Sequence, residues 1–170
     1  MKKSLCIILA LSVFVGLAAC STNSKQVAVN KTIFPQSISF DNYNDRRAVI
    51  DRNPVDENFI SSIHAFSCHS ASKILVHQSQ NTNYSPVSLY MTLALAGTGA
   101  NGTTQDEIFS ALSVNKKDKG YLSTQTGNLF RVLYSDNKIG KLKIANSLWL
   151  QQKIKFKNKF IENATHERYL

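Results

Sequence analysis

The sequence predicts a mixed α+β domain with several helices. Apolar residues Phe59, Ile63, Phe66 and Ile74, with Ser70 among them, recur at helical spacing. A Ser85-Pro86 pair opens an almost unbroken apolar run to Ala96. Between Lys141 and Leu150 the pattern changes to strict alternation, the mark of a strand. The composition fits an ordered domain: 43% of the 170 residues are hydrophobic and 18% charged, which excludes wholesale disorder. Seven Gly and three Pro exclude a collagen-like or Gly/Pro-rich chain, and three Cys exclude a disulfide-dense scaffold.

Residues 1–19 read as an export signal rather than as part of the fold. Lys2 and Lys3 precede an uncharged apolar run of 13 residues from Leu5 to Leu17, shorter than the roughly 20 residues needed to span a bilayer. The ending Ala18-Ala19-Cys20 resembles a bacterial lipoprotein lipobox. That resemblance implies cleavage before Cys20 and diacylglycerol on its sulfur. The expected product is exported and lipid-anchored to a bacterial membrane, with an outer membrane or cell surface favoured; the alternative is an ordinary secreted protein. Cys6 leaves with the signal, so Cys68 is the remaining free thiol and no internal disulfide is expected. Cys68 reads as a packed or half-exposed residue.

Residues 20–53 are rich in Ser, Asn, Lys, Asp and Arg and read as a lipidated polar tether. If flexible, such a tether reaches about 30 Å. Ile33, Phe34, Ile38 and Phe40 are small apolar islands within it. The domain then occupies residues 54–170. Asn53 as cap, Pro54 at the first helical position and Asp56 and Glu57 near the positive end predict a helix running to about His77. Gln78 to Asn81 is a polar turn and Thr82 to Ser85 an extended piece, because a residue before proline avoids the helical region. Ser85 caps the next helix, which is apolar nearly all round and therefore buried. Gly97 and Gly99 are expected to stop it. Thr104-Gln105-Asp106-Glu107 reads as a capping box opening a short helix with Ile108, Ala111 and Leu112 on one face. Asn115 to Gly120 is a basic turn, and Tyr121, Leu122, Gln125, Leu129, Val132 and Leu133 outline another helix. In the strand from Lys141 to Leu150, Leu142, Ile144, Leu148 and Leu150 share a face with Asn146. Phe156, Phe160 and Ala164 restore helical spacing to the end.

Enzyme chemistry finds little support. Gly97-Thr98-Gly99-Ala100-Asn101-Gly102 spells G-x-G-x-x-G, but a helix precedes it where a dinucleotide site needs a strand. No serine lies in a G-x-S-x-G elbow. No metal site is expected from His64, His69, His77, His166 and Cys68, and no cofactor is expected. Cys68 and His69 are adjacent, and neighbouring helical residues point apart. The charge is uneven: of the formal +9, Lys116 to Lys159 holds eleven basic residues against Asp118 and Asp136 alone. Lys138, Lys141, Lys143, Lys153, Lys155, Lys157 and Lys159 form a candidate anion-binding patch. It reads as a solvated face, or as a face for an anionic glycan or lipid. No aromatic stacking series accompanies the lysines, and an exported chain is not expected to bind nucleic acid.

Four segments carry a family resemblance. Asn81-Thr82-Asn83-Tyr84-Ser85-Pro86-Val87-Ser88-Leu89 resembles the serpin segment in which a short strand leads through Ser-Pro into a buried helix. Ala96-Gly97-Thr98-Gly99-Ala100-Asn101-Gly102-Thr103-Thr104-Gln105-Asp106-Glu107-Ile108 resembles the serpin connection into a short helix. Ile144-Ala145-Asn146-Ser147-Leu148-Trp149-Leu150 is similar to the serpin Ala-Asn-x-Leu-Phe strand, and Phe160-Ile161-Glu162-Asn163-Ala164 to the helix after it. The resemblance covers roughly Asp56 to Leu170. It implies an α+β serpin-like fold, of which this chain is the N-terminal part: about five helices, a short strand and one strand of the large central sheet.

The resemblance also implies a mechanism. A target serine or cysteine protease cleaves an exposed reactive loop and is held as the acyl-enzyme while the loop inserts as a new strand. By the same resemblance Ser85, Ser88 and Asn146 belong to the shutter region, where the central sheet opens. The plainer reading is that Ser85 is a helix cap and Ser88 a small packing residue. In serpins the reactive loop lies downstream of the segment corresponding to Leu170, so the chain alone is expected to be a truncated, non-inhibiting part. The alternatives are a non-inhibitory serpin-like binding module tethered to a membrane, and an inactive gene remnant.

Overall fold

The computed structural model describes residues 35–76, 78–114, 118–146, 156–162 and 164. The export stretch, Cys20, Trp149, Lys153 and Lys155 lie outside the described residues, as do the side chains of Lys159 and Glu162. The elements are α1 (Tyr43–Arg52), α2 (Glu57–Ile74), α3 (Pro86–Gly99), α4 (Gly102–Ala111), α5 (Lys119–Leu133), β1 (Ser135–Asp136), β2 (Lys141–Leu142) and α6 (Asn158–Glu162).

α1 lies inside the stretch read as a tether. Its signals are polar: Asn42 caps it by accepting the Asp45 N–H, Asp45 stands in the first turn and Arg52 in the last. Arg47 and Asp51 pair one turn apart at 2.9 Å. The helix buries none of its own residues. Arg46 holds it, donating to the carbonyls of Val132 (2.7 Å) and Tyr134 (3.4 Å) at the open end of α5. A cation there satisfies carbonyls that have no partner within the helix.

α2 starts later than the sequence predicts. Asn53 closes α1, its side chain donating to the Val49 carbonyl at 2.8 Å. Asp56 is the cap of α2, accepting the N–H groups of Asn58 at 2.8 Å and Phe59 at 3.2 Å. Pro54 lies in the extended link between the two helices, as befits a residue that restricts its predecessor. α3 begins as expected, with Ser85 as cap and Pro86 in the first turn. It lies at the centre of the domain and packs against α2, α4 and α5. Tyr90 sits edge-on between Phe59 and Phe66, with centroids 5.5 and 5.4 Å away, and its hydroxyl meets Ser62 Oγ at 2.8 Å. Phe109, Leu112, Leu122 and Ala164 complete the buried cluster from later elements.

Gly97 does not stop α3, which passes through it; the helix ends at Gly99, with Ala100 extended as its cap. A Cβ on Gly97 would come within 3.0 Å of the Phe109 ring and 3.1 Å of Ile108, and one on Gly99 within 2.7 Å of the Phe160 ring. They permit close approach of α4 and of Phe160. Gly102, at φ +61°, makes the left-handed corner into α4. Because α4 starts there, Thr104 to Glu107 lies within the helix and is not its capping box, and Asn101 makes no side-chain cap bond. Asp118 caps α5 through the Gly120 N–H at 2.8 Å, which places Gly120 in the helix rather than in a turn.

The long strand expected from Lys141 shortens to a hairpin. β1 and β2 pair antiparallel, Ser135 with Leu142 and Asp136 with Lys141. Asn137 makes the turn, its side chain accepting the N–H groups of Ile139 (3.0 Å) and Gly140 (3.1 Å). Residues 143–146 leave the ladder and 147–150 lie outside the described residues. Leu142 is exposed, so the alternating face finds no cover there. Near the end, the rings of Phe156 and Phe160 stack at 6.0 Å and Ala164 is buried.

Candidate functional site

The N-terminal half of α3 brings the sequence-predicted residues into one polar seam. Ser85, Ser88 and Thr92 recur at helical spacing, so their side chains share a face. Ser85 Oγ donates to Ser88 Oγ at 2.9 Å and accepts the Ser88 N–H at 3.3 Å. Thr92 Oγ1 lies 2.9 Å from the Ser88 carbonyl and 3.0 Å from Asn146 Oδ1. Thr92 is thus the joint between the serines and Asn146, across 54 positions of chain. Sequence reasoning missed it; its position four residues after Ser88 was the available signal. Both readings of Ser85 hold at once, since the same oxygen caps the helix and joins the seam. Ser88 and Asn146 are half-buried. Among the described residues, the hydrogen bonds of the seam join hydroxyls, backbone groups and one amide. Its chemistry is that of exchangeable hydrogen bonds, and it joins a helix to a segment that no ladder holds.

A second polar cluster ties the entry of α2 to α5. The Asp56 N–H donates to Gln125 Oε1 at 2.7 Å, Tyr121 donates to Asp56 Oδ1 at 3.1 Å, and Asn128 donates to the Pro54 carbonyl at 2.8 Å. Partial desolvation opposes ionisation of Asp56, but the bonds from Tyr121, Asn58 and Phe59 outweigh it and hold the carboxyl below its usual range. Desolvation and the Asp56 carboxylate together push the Tyr121 phenol up.

The lysine patch is less uniform than its sequence. Lys143 and Lys141 stand 2.6 and 3.4 Å from the Asp136 carboxylate. The Lys143 bond, against some desolvation and with help from Lys141, holds Asp136 below the usual carboxylate range. Lys138 and Lys157 are exposed. Lys153 and Lys155, and the side chain of Lys159, fall outside the described residues, as does Cys20. Cys68 is exposed, and His64, also exposed, stands four residues before it on the same face of α2, a spacing that sequence reasoning overlooked. Among the described residues no group of three or more His, Cys, Asp and Glu could hold a metal ion. Among them, too, no helix is long and apolar enough to cross a membrane.

Comparison with known proteins bears on the whole arrangement. Alpha-1-antiproteinase S of Cavia porcellus is 34% identical over 104 residues, 59% of this chain and 26% of the relative. Serpin A3-5 of Bos taurus is 30% identical over 117 residues, 66% of this chain and 28% of the relative. Serpin-ZX of Arabidopsis thaliana is 28% identical over 106 residues. The chain spans about a quarter of the length of these curated relatives. No solved structure matches it. The family model described as serpin (serine protease inhibitor) matches residues 61–168, which include the entire seam. The chain belongs to the serpin family.

Proposed function

We propose that the chain is the N-terminal part of a serpin-type suicide-substrate inhibitor of serine or cysteine endopeptidases, carried on a membrane by a lipidated Cys20. One observation carries the reading: a match over residues 61–168 to a family of serine protease inhibitors. Relatives named antiproteinase and proteinase inhibitor support it. The seam is consistent with it, because the Thr92 hydroxyl stands within reach of the Ser88 carbonyl and of Asn146 Oδ1 and can give its one proton to either. On this reading the protein is a one-use substrate and not a catalyst. In serpins the target protease engages a reactive loop downstream of the segment matched here.

Two mixtures test the proposal. The purified chain, incubated with trypsin-, elastase-, subtilisin- and papain-like proteases, gives no denaturant-resistant complex; such a band would overturn the claim that the chain alone is incompetent. A chimera of alpha-1-antiproteinase S carrying residues 61–168 in place of its matching segment gives that complex with the parent's protease. A chimera that melts cooperatively but is cleaved without complex formation would overturn the inhibitory reading and leave a binding module.

A further inference from the structure

We propose that the tip of the β1–β2 hairpin, together with the residues leading into α1, docks on an anionic lipid bilayer. The two segments lie side by side. Ser37 Oγ donates to the Asp136 carbonyl, and Ser37, Phe40, Asp41, Asn137, Lys138 and Ile139 line one open groove. Large apolar side chains are turned out here: Ile139 is 70% exposed and Phe40 56%. Leu142 and Tyr43, a few residues along the same two segments, are 47% and 73% exposed. Single exposed apolar residues need no explanation, whereas a cluster on touching segments marks an interaction surface.

The chemistry fits a membrane interface. Lys138 adjoins Ile139 at the tip and is exposed, and Lys141 and Lys143 follow. The acidic groups of the face are Asp136, already paired with Lys141 and Lys143, and Asp41, which accepts from Ser39. Three lysines against two aspartates leave the face positive. Long lysine stems can lie along apolar surface while their ammonium groups reach phosphate oxygens. The tip also brings few unmet backbone groups. Asn137 takes the N–H groups of Ile139 and Gly140, and the Asn137 N–H donates to the Gly140 carbonyl at 3.1 Å. A turn that satisfies the N–H groups of Asn137, Ile139 and Gly140 internally loses less on leaving water than one whose donors all face solvent.

The course of the chain supplies the occupant. Residues 21–34 alone separate Cys20 from Pro35, which stands two residues from the Ser37 contact. Fourteen residues of random coil reach about 20 Å, and this segment contains Lys25 and Lys31. This part of the argument rests on the proposed lipidation of Cys20, which would hold the bilayer within that reach. The test does not depend on it.

Residues 20–170 carrying Cys20→Ser, and so free of acyl groups, are sedimented with vesicles of phosphatidylcholine containing phosphatidylglycerol and with vesicles of phosphatidylcholine alone. The chain is expected to bind the anionic vesicles and to release as salt rises. Ile139→Ser is expected to weaken binding about tenfold and Lys138→Ala about fivefold, each with an unchanged thermal transition. Equal binding by both variants, binding to a sulfated polysaccharide but not to vesicles, or no vesicle binding would each overturn the proposal. Loss of binding in the lysine variant alone would overturn insertion of the tip. Lipidation is read separately by palmitate incorporation, so its failure is distinct from failure of this surface.

Discussion

Alanine in place of Gly97 is a sharp test of how α3 and α4 meet. The added methyl would lie 3.0 and 3.4 Å from two carbons of the Phe109 ring and 3.1 Å from Ile108 Cγ2. Phe109 is fully buried, so its ring has no solvent to move into. Forcing a methyl into such packing costs about 1–3 kcal/mol. Against this, removing glycine from a helix interior gains about 0.5–1 kcal/mol. The net is a loss of up to about 2.5 kcal/mol, or a fall in Tm of up to about 10 °C at roughly 4 °C per kcal/mol. Urea unfolding followed by far-UV circular dichroism measures it, with Gly140→Ala as the control, since a Cβ there meets nothing within 4 Å. A higher midpoint for Gly97→Ala at an unchanged m-value would refute the reasoning, because it would show that α4 yields to the methyl and that the glycine is not there for close approach.

Other consequences follow from the polar contacts. Thr92→Val keeps the shape of the side chain but cuts the link to Asn146, and should cost about 1 kcal/mol in urea unfolding; Asn146→Ala added to it should cost little more, as a double-mutant cycle will show. Asp56 has a lowered folded-state pKa, so its stabilising contribution is complete above the unfolded carboxylate value and is lost as pH falls through the depressed one. Asp56→Asn should therefore flatten the acid side of a Tm-against-pH curve, and Tyr121→Phe should flatten it in part. Cys20→Ser should abolish incorporation of labelled palmitate by the producing cells and leave only a membrane association that high salt removes.

Much of this architecture is legible in the sequence where a local rule and the tertiary structure agree. Ser85-Pro86 marks the start of α3 because capping and the fixed φ of proline act within one turn. The apolar period from Phe59 finds α2 because one face of it enters the core. α1 is not legible, since none of its residues is buried and its anchorage is a pair of carbonyls 86 and 88 positions away. Gly97 misleads for a related reason: as a residue it signals a stop, which comes only at Gly99, and the neighbouring Phe109 ring is what reveals a close approach. Alternation after Lys141 describes a strand with a buried face, but here the ladder is two residues long and Leu142 remains in water. Ser85, Ser88 and Asn146 are legible by resemblance, whereas the role of Thr92 in joining them emerges only in the fold, 54 positions from Asn146.

The attachment of α1 determines how the domain would bear a load. A pull from the N-terminal side first meets Arg46, whose bonds to Val132 and Tyr134 tie α1 to the end of α5. Once those part, α1 can unravel without disturbing packed side chains, because it has none in the core. The pull then meets a second catch on α5, where Asn128 holds the Pro54 carbonyl and Gln125 holds the Asp56 N–H. Only beyond it does tension reach Phe59 and the rings around Tyr90. The N-terminal side therefore works as two shock absorbers in series: the outer one hangs on the Arg46 cation, while the inner one is built from amide–carbonyl bonds beside the Asp56 carboxylate. A stretched chain would release slack in two steps while the aromatic core stayed closed.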